Sequence, residues 1–219
     1  YENSLKSIFQ FEDFLKKHFD IVFVDNSIES LEKFPTIKKI IPDYVKVITK
    51  VFNNYGRKTK TGGVFEHWIL SKELWKNYDF LIHFEARQIL KDKSFFENFI
   101  SEPVSTFTWG NKERNGLIFG NFKNRDPNFK IKLYNRFNTR FGTFFNDFYT
   151  GMFSVKISEF YSFVNNFDLN SVLIIKKREG KKSLEKIMMC FAYDELEEFK
   201  LVKEIGIVRY ISNSSIDNV

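Results

Sequence analysis

Apolar side chains fall at positions 5, 8, 9, 11, 14, 15 and 19, with charged residues between them. That spacing follows the turn of an α-helix and predicts one amphipathic helix over residues 2–18. The short apolar stretch 20–24 predicts a buried strand. Residues 27–34 suit a short helix capped by Ser27, and Pro35 and Pro42 bound a connector. Residues 44–51 alternate with period two and are rich in β-branched side chains, which predicts a second strand. The stretch 53–63, NNYGRKTKTGG, is polar, basic and glycine-containing, and is read as a loop. Helical spacing resumes over 64–76. Residues 78–84 predict a third buried strand, which runs into Glu85, Ala86 and Arg87.

The second half is more mixed. A helix is expected over 92–100. A hairpin is expected from 104–108 and 116–122, with Asn115-Gly116 near its turn. Residues 123–143 are basic and irregular. A strand at 148–155, helices at 157–167 and 183–199 and a strand at 206–212 complete the pattern. Strands alternate with helices through the first half, so the expected class is α/β: a mostly parallel central sheet flanked by helices, with a small additional hairpin. The chain has 219 residues, 43% of them apolar. One domain spanning 1–219 is expected.

Composition narrows this picture only a little. No apolar run reaches the ~18 residues of a membrane span, and no signal peptide is expected. One cysteine, Cys190, cannot form an internal disulfide, and no Cys/His cluster has zinc-ligand spacing, so a cytoplasmic setting is expected. His18, His67 and His83 stand far apart and are read as surface or packing residues. A formal charge of +6 and a sequence pI of about 9.2 suit a polyanionic partner: nucleic acid, an anionic membrane surface or a phosphorylated small molecule. A plain excess of lysine and asparagine explains the same charge. The 28 phenylalanines belong mostly to a core and speak weakly for base stacking.

In open α/β sheets, ligands bind beyond the carboxyl ends of the strands. There the sequence offers Asp25, Asn26 and Ser27 after the first strand. After the second come Asn53, Asn54, Gly56, Arg57, Lys58, Lys60, Gly62 and Gly63, and after the third Glu85 and Arg87. Together they suit a nucleoside diphosphate. Asp25 and Asn26 can hydrogen-bond a base edge or a ribose. Arg57, Lys58 and Lys60 can neutralise phosphates, Arg as a bidentate fork. Gly62 and Gly63 would let backbone amides approach phosphate at a helix start. The loop fits neither the P-loop nor the G-x-G-x-x-G order. Plain alternatives stand beside each reading: an Asx-type cap for VDNS, and a loop ion pair for Glu85 with Arg87.

The order of the fragments FVDNS (23–27), NNYGRKTKTGGVFEHW (53–68) and YDFLIHFEAR (78–87) resembles that of GT-A glycosyltransferases of the large inverting family. TGMFSVKISEFYSFV (150–164) resembles that family's strand and helix after the acceptor region, and SLEKIMMCFAYDEL (183–196) its acidic acceptor-side helix. The resemblance implies a GT-A-like, Rossmann-like fold whose opening strand would lie upstream of Tyr1 or be absent. It implies a hexosyltransferase-type enzyme that moves sugar from a nucleotide-sugar donor to a glycan or lipid-linked acceptor in surface-polysaccharide synthesis. Such an enzyme would be cytoplasmic or peripheral on an anionic membrane. One departure stands out. Glu85-Ala86-Arg87 occupies the place of the family's D-x-D metal motif. Glu85 can ligate Mn²⁺ or Mg²⁺, but a single carboxylate beside a cation is a poor divalent site, and Arg87 can carry the metal's charge instead.

Sugar transfer of this kind needs positive charge on the leaving diphosphate and, with inversion, a base for the acceptor hydroxyl. Glu185, in the first turn of its predicted helix, and then Asp147 are the candidate bases. Glu185 equally suits a carboxylate stabilised by the helix dipole. The basic group Lys176, Lys177 and Arg178 could close over the phosphates. Two other classes compete: a basic nucleic-acid-binding or nuclease module, and an inactive GT-A-like scaffold.

Overall fold

The computed structural model describes residues 1–109, 148–173, 183–202, 205–211 and 215–218. They form a mixed α/β assembly of short helices around three small sheets. Residues 116–122 and 123–143, Asp147, Lys176, Lys177 and Arg178, for which expectations were stated, lie outside the described residues.

The opening helix is two helices, α1 (Glu2–Phe9) and α2 (Glu12–His18). The break falls at Gln10 and Phe11, where the Gln10 amide donates to the carbonyls of Ser7 (2.7 Å) and Leu90 (3.1 Å). The break lets one amphipathic stretch serve two cores. Leu5 and Phe9 pack with Leu31, Ile41 and Val45. Phe11, Phe14 and Leu15 pack with Leu90, Phe95 and Phe96.

β1 (Val22–Asp25) and β2 (Lys46–Thr49) form a parallel pair. Between them Ser30, not Ser27, caps a single 3-10 turn at Leu31–Lys33. The expected connector holds α3 (Pro35–Ile40), with Pro35 at its first turn where a missing N–H costs nothing. α4 (Lys60–Trp75) starts four residues earlier than its apolar spacing suggests.

The main sheet departs from the expected parallel arrangement. Its order is β3 (Phe80–Phe84), β6 (Phe148–Lys156), β5 (Thr106–Trp109), β7 (Lys200–Val202). β6 runs antiparallel to both of its neighbours, and only β5 and β7 pair in parallel. Eight of its nine residues are buried, which makes β6 the central strand. Period-two burial carries no information on strand direction, so the sequence pattern could not foresee this. Where β5 shifts register against β6, serines complete the ladder: Ser154 Oγ accepts from the Thr106 amide and donates to the Val104 carbonyl. A third sheet, β4 (Gln88–Leu90) with β8 (Ile207–Ile211) and β9 (Ser215–Asn218), was expected only at β8.

Helices α5 (Ser94–Ser101), α6 (Ile157–Asn166) and α7 (Ser183–Glu195) fall close to their expected places. The largest core joins α4, α6 and α7 to one face of the main sheet through Phe65, Trp68, Phe107, Phe153, Phe160 and Met188. Phe65 stacks on Phe167 at 4.2 Å, and Trp68 meets Phe160 edge-on at 5.0 Å. Burying each such ring contributes about 2–3 kcal/mol. Phe107, Phe148, Phe153, Phe160 and Phe191 join Phe65 as the buried phenylalanines of this core.

β1 and β3 share their helical supports. His67 and Trp68, adjacent on α4, bond Asn26 after β1 and His83 on β3. Tyr78 Oη donates to Asp20 Oδ2 (2.8 Å), tying the starts of the two strands. Their carboxyl ends therefore lie on one side of the molecule. Among the described residues, no strand pairs with β1 on the edge away from β2, or with β3 on the edge away from β6.

Candidate functional site

Asp25 and Asn26 have opposite fates. The Asn26 side chain is buried, and both ends of its amide are used inside the fold. Nδ2 donates to the carbonyls of Phe52 (3.0 Å) and Gly63 (3.3 Å). That fixes Oδ1 as the acceptor, so the partner at 2.7 Å is a protonated His67 Nε2. Asn26 thus fastens β1, the segment after β2 and the first turn of α4. Asp25 forms the Asx turn that its sequence allows: Oδ1 accepts from the Ser27 amide (2.8 Å) and hydroxyl (2.6 Å). Among the described residues Asp25 Oδ2 has no hydrogen-bond partner, and the side chain is half-buried.

The glycine-containing loop lies on the first turn of α4, backbone against backbone. A Cβ at Gly56 would sit 2.9 Å from Gly63 Cα, and one at Gly62 would sit 2.6 Å from Tyr55 Cβ. The loop amides already have an anion. Glu66 is fully buried, and its carboxylate accepts from the amides of Tyr55 and Gly56, each at 2.9 Å. Glu66 is not among the residues that the strand-end pattern singles out. The signal was available: a carboxylate within the apolar run VFEHWIL must find donors or remain uncharged. Asn54, Arg57, Lys58 and Lys60 are exposed around this loop, with Lys58 Nζ 5.4 Å over the Tyr55 ring.

At the end of β3 the chain turns sharply, with the Gln88 amide bonded to the Glu85 carbonyl (3.0 Å) and the Glu85 amide to Gly151 on β6 (2.8 Å). Arg87 Nη2 donates to Glu85 Oε1 at 2.5 Å. Gln88 Nε2 lies 3.4 Å from Glu85 Oε2. Glu85 is mostly covered, with 19% of its side chain exposed, whereas Arg87 keeps 48%. Burial works against the Arg87 charge, and the adjacent Glu85 carboxylate outweighs it, holding the guanidinium above its ordinary value.

The two strand ends share one electrostatic neighbourhood. The Tyr1 phenol is pushed up by burial and by Asp25 and Glu85, with Arg87 opposing. Burial lowers His67, and Asp25, Glu66 and Glu85 oppose it. Burial drives His83 down to about 4. Its Nδ1 accepts from Trp68 Nε1 (3.4 Å), and its Nε2 is buried without a partner. Both histidines are half-buried, and their spacing in the sequence gave no sign of the Asn26 and Trp68 bonds that hold them.

Asp25, Glu85 and Arg87 thus stand at strand ends on one side of the molecule, and all three act on the Tyr1 phenol. Glu185 is half-buried on α7, whose neighbours Leu184 and Met188 enter the largest core. The perturbed groups at the strand ends respond to Asp25, Glu66 and Glu85, and Glu185 is not among the charges that shift them. A hollow lined by Phe80, Val104, Lys156 and Glu159 lies at the other end of β3.

A divalent ion does not fit this arrangement. Among the described residues, no group of three or more His, Cys, Asp or Glu side chains could hold a metal. Arg87 faces one Glu85 oxygen and Gln88 the other. Among the described residues, no helix is long and apolar enough to cross a membrane. The chain matches no protein-family model, no curated protein and no solved structure at a significant level.

Proposed function

We propose that this chain is a GT-A-like glycosyltransferase domain that binds the diphosphate of a nucleotide sugar through Arg87 without a divalent metal. The observation that carries the reading is the Glu85–Arg87 pair at the end of β3, with Arg87 half-exposed, on the same side of the molecule as the Asp25 carboxylate at the end of β1. In this reading Asp25 Oδ2 accepts from the nucleoside. Arg87 turns its remaining N–H groups to the diphosphate and stabilises the charge that grows there as the sugar departs. Asn26 and Gly56 act by shaping the floor and the loop rather than by touching the donor. Arg57 and Lys60 contribute positive charge from the exposed loop. Glu185, with Asp147 next, serves as the base if configuration inverts. The acceptor is a glycan or a lipid-linked sugar of a surface polysaccharide, and the basic exterior holds the enzyme at an anionic cytoplasmic membrane surface.

The saturated hydrogen bonds of Asn26 and Glu66 favour a second reading, an inactive scaffold of the same fold. A thermal-shift panel of UDP-, GDP-, CMP- and dTDP-sugars, with Mn²⁺ and with EDTA, separates the two. A donor at 100 times its dissociation constant stabilises the fold by about 2.7 kcal/mol. Stabilisation by one nucleotide class, undiminished by EDTA, is the expected result. No shift with any donor would leave the scaffold.

A further inference from the structure

Below the Glu85–Arg87 pair lies a buried polar chain that the donor-site reading leaves unused. Gln88 is 2% exposed and Tyr149 5%. Tyr149 Oη donates to Gln88 Oε1. The Glu85 carboxylate, which only accepts, decides which way the amide faces: Nε2 turns toward Glu85 Oε2 and Oε1 takes the hydroxyl. The reverse orientation would set the amide oxygen against a carboxylate. Gly151 makes room for the contact. A Cβ there would lie 2.5 Å from both Gln88 Nε2 and Tyr149 Oη, and the Gly151 carbonyl also holds the Glu85 amide. Glu85 is therefore restrained at its backbone by Gly151 and at one carboxylate oxygen by Gln88. Its other oxygen holds Arg87.

We propose that Gln88 and Tyr149 are positioning residues for an anion-binding Arg87. The order of restraint is Tyr149 to Gln88 to Glu85 to Arg87. A guanidinium on a flexible stem loses rotamer freedom when it binds, and an anchored carboxylate removes part of that loss beforehand. The inference rests on the donor-diphosphate reading and adds what makes Arg87 effective without a metal.

The test is calorimetric titration with UDP and GDP of the wild type, Tyr149→Phe, Gln88→Met, Arg87→Ala and the two double variants with Arg87→Ala. Tyr149→Phe removes the hydroxyl that bonds Gln88, Gln88→Met removes the links to both Tyr149 and Glu85, and both keep the side-chain bulk. Each is expected to weaken binding about threefold to tenfold. In the Arg87→Ala background, neither should weaken it further, because the effect passes through Arg87. Loss of stability alone would not give this non-additivity. Wild-type affinity in both single variants, or equal losses with and without Arg87, would overturn the positioning role and leave the donor site standing. Absence of binding by the wild type itself would overturn both.

Discussion

The ends of β1 and β3 carry similar residues and use them differently. At β1, the Asn26 amide bonds the Phe52 and Gly63 carbonyls and the His67 ring, and the Tyr55 and Gly56 amides bond the Glu66 carboxylate, all within the fold. At β3, Glu85 and Arg87 bond each other and keep a solvent-facing side. A polar group whose donors and acceptors are all taken by the fold reports on the fold. One that is anchored on one side and open on the other can meet a ligand. Asp25 belongs to the second kind, with one carboxylate oxygen in the Asx turn and the other open.

The sharpest way to break this contrast is to remove the internal anion. Glu66→Leu leaves the Tyr55 and Gly56 amides buried without an acceptor, and should cost about 3–4 kcal/mol in urea unfolding. A stable variant with impaired nucleotide binding would instead place Glu66 with the ligand groups. Asn26→Ala should cost about 3 kcal/mol, because it strands two carbonyls and the His67 N–H. Asp25→Ala should leave stability within about 1 kcal/mol and weaken the free nucleotide as much as the sugar nucleotide. A loss confined to the sugar nucleotide would move Asp25 off the nucleoside.

His83 sharpens the contrast through pH. His83 has a folded value of about 4 against an ordinary 6.5, so the unfolded chain takes up its proton first. Its contribution is complete above about pH 6.5 and declines as pH falls toward 4, by at most about 1.4 kcal/mol per pH unit. His83→Phe should flatten that limb of the stability profile, and an unchanged slope would assign the acid sensitivity elsewhere. Glu185→Gln should have the smallest effect on binding: unchanged donor affinity with slower transfer. Full turnover would exclude Glu185 as the base.

The strands that place the site were legible because their apolar runs are short and bounded: 46–49 and 80–84 fall inside the predicted stretches, and 22–25 overruns its own by one residue. Their end residues were legible for the same reason. The direction of β6 was not, since a fully buried strand reads alike in either sense. The break at Gln10 was hidden because both halves of the helix are amphipathic, and only the tertiary bond to Leu90 separates them. Three-residue strands such as β4 and β7 carry too little pattern to register. Glu66, Gln88 and Tyr149 were passed over because their partners are distant in sequence or are backbone groups.

The central claim is that Arg87 replaces a metal at the donor diphosphate. The most direct measurement is the affinity of wild type and Arg87→Ala for the donor that the thermal-shift panel selects, in EDTA and in Mn²⁺. The account predicts wild-type binding that is equal in both solutions, and a loss of about 1–3 kcal/mol on removing Arg87. Binding that requires Mn²⁺, or that survives Arg87→Ala unchanged, would contradict it.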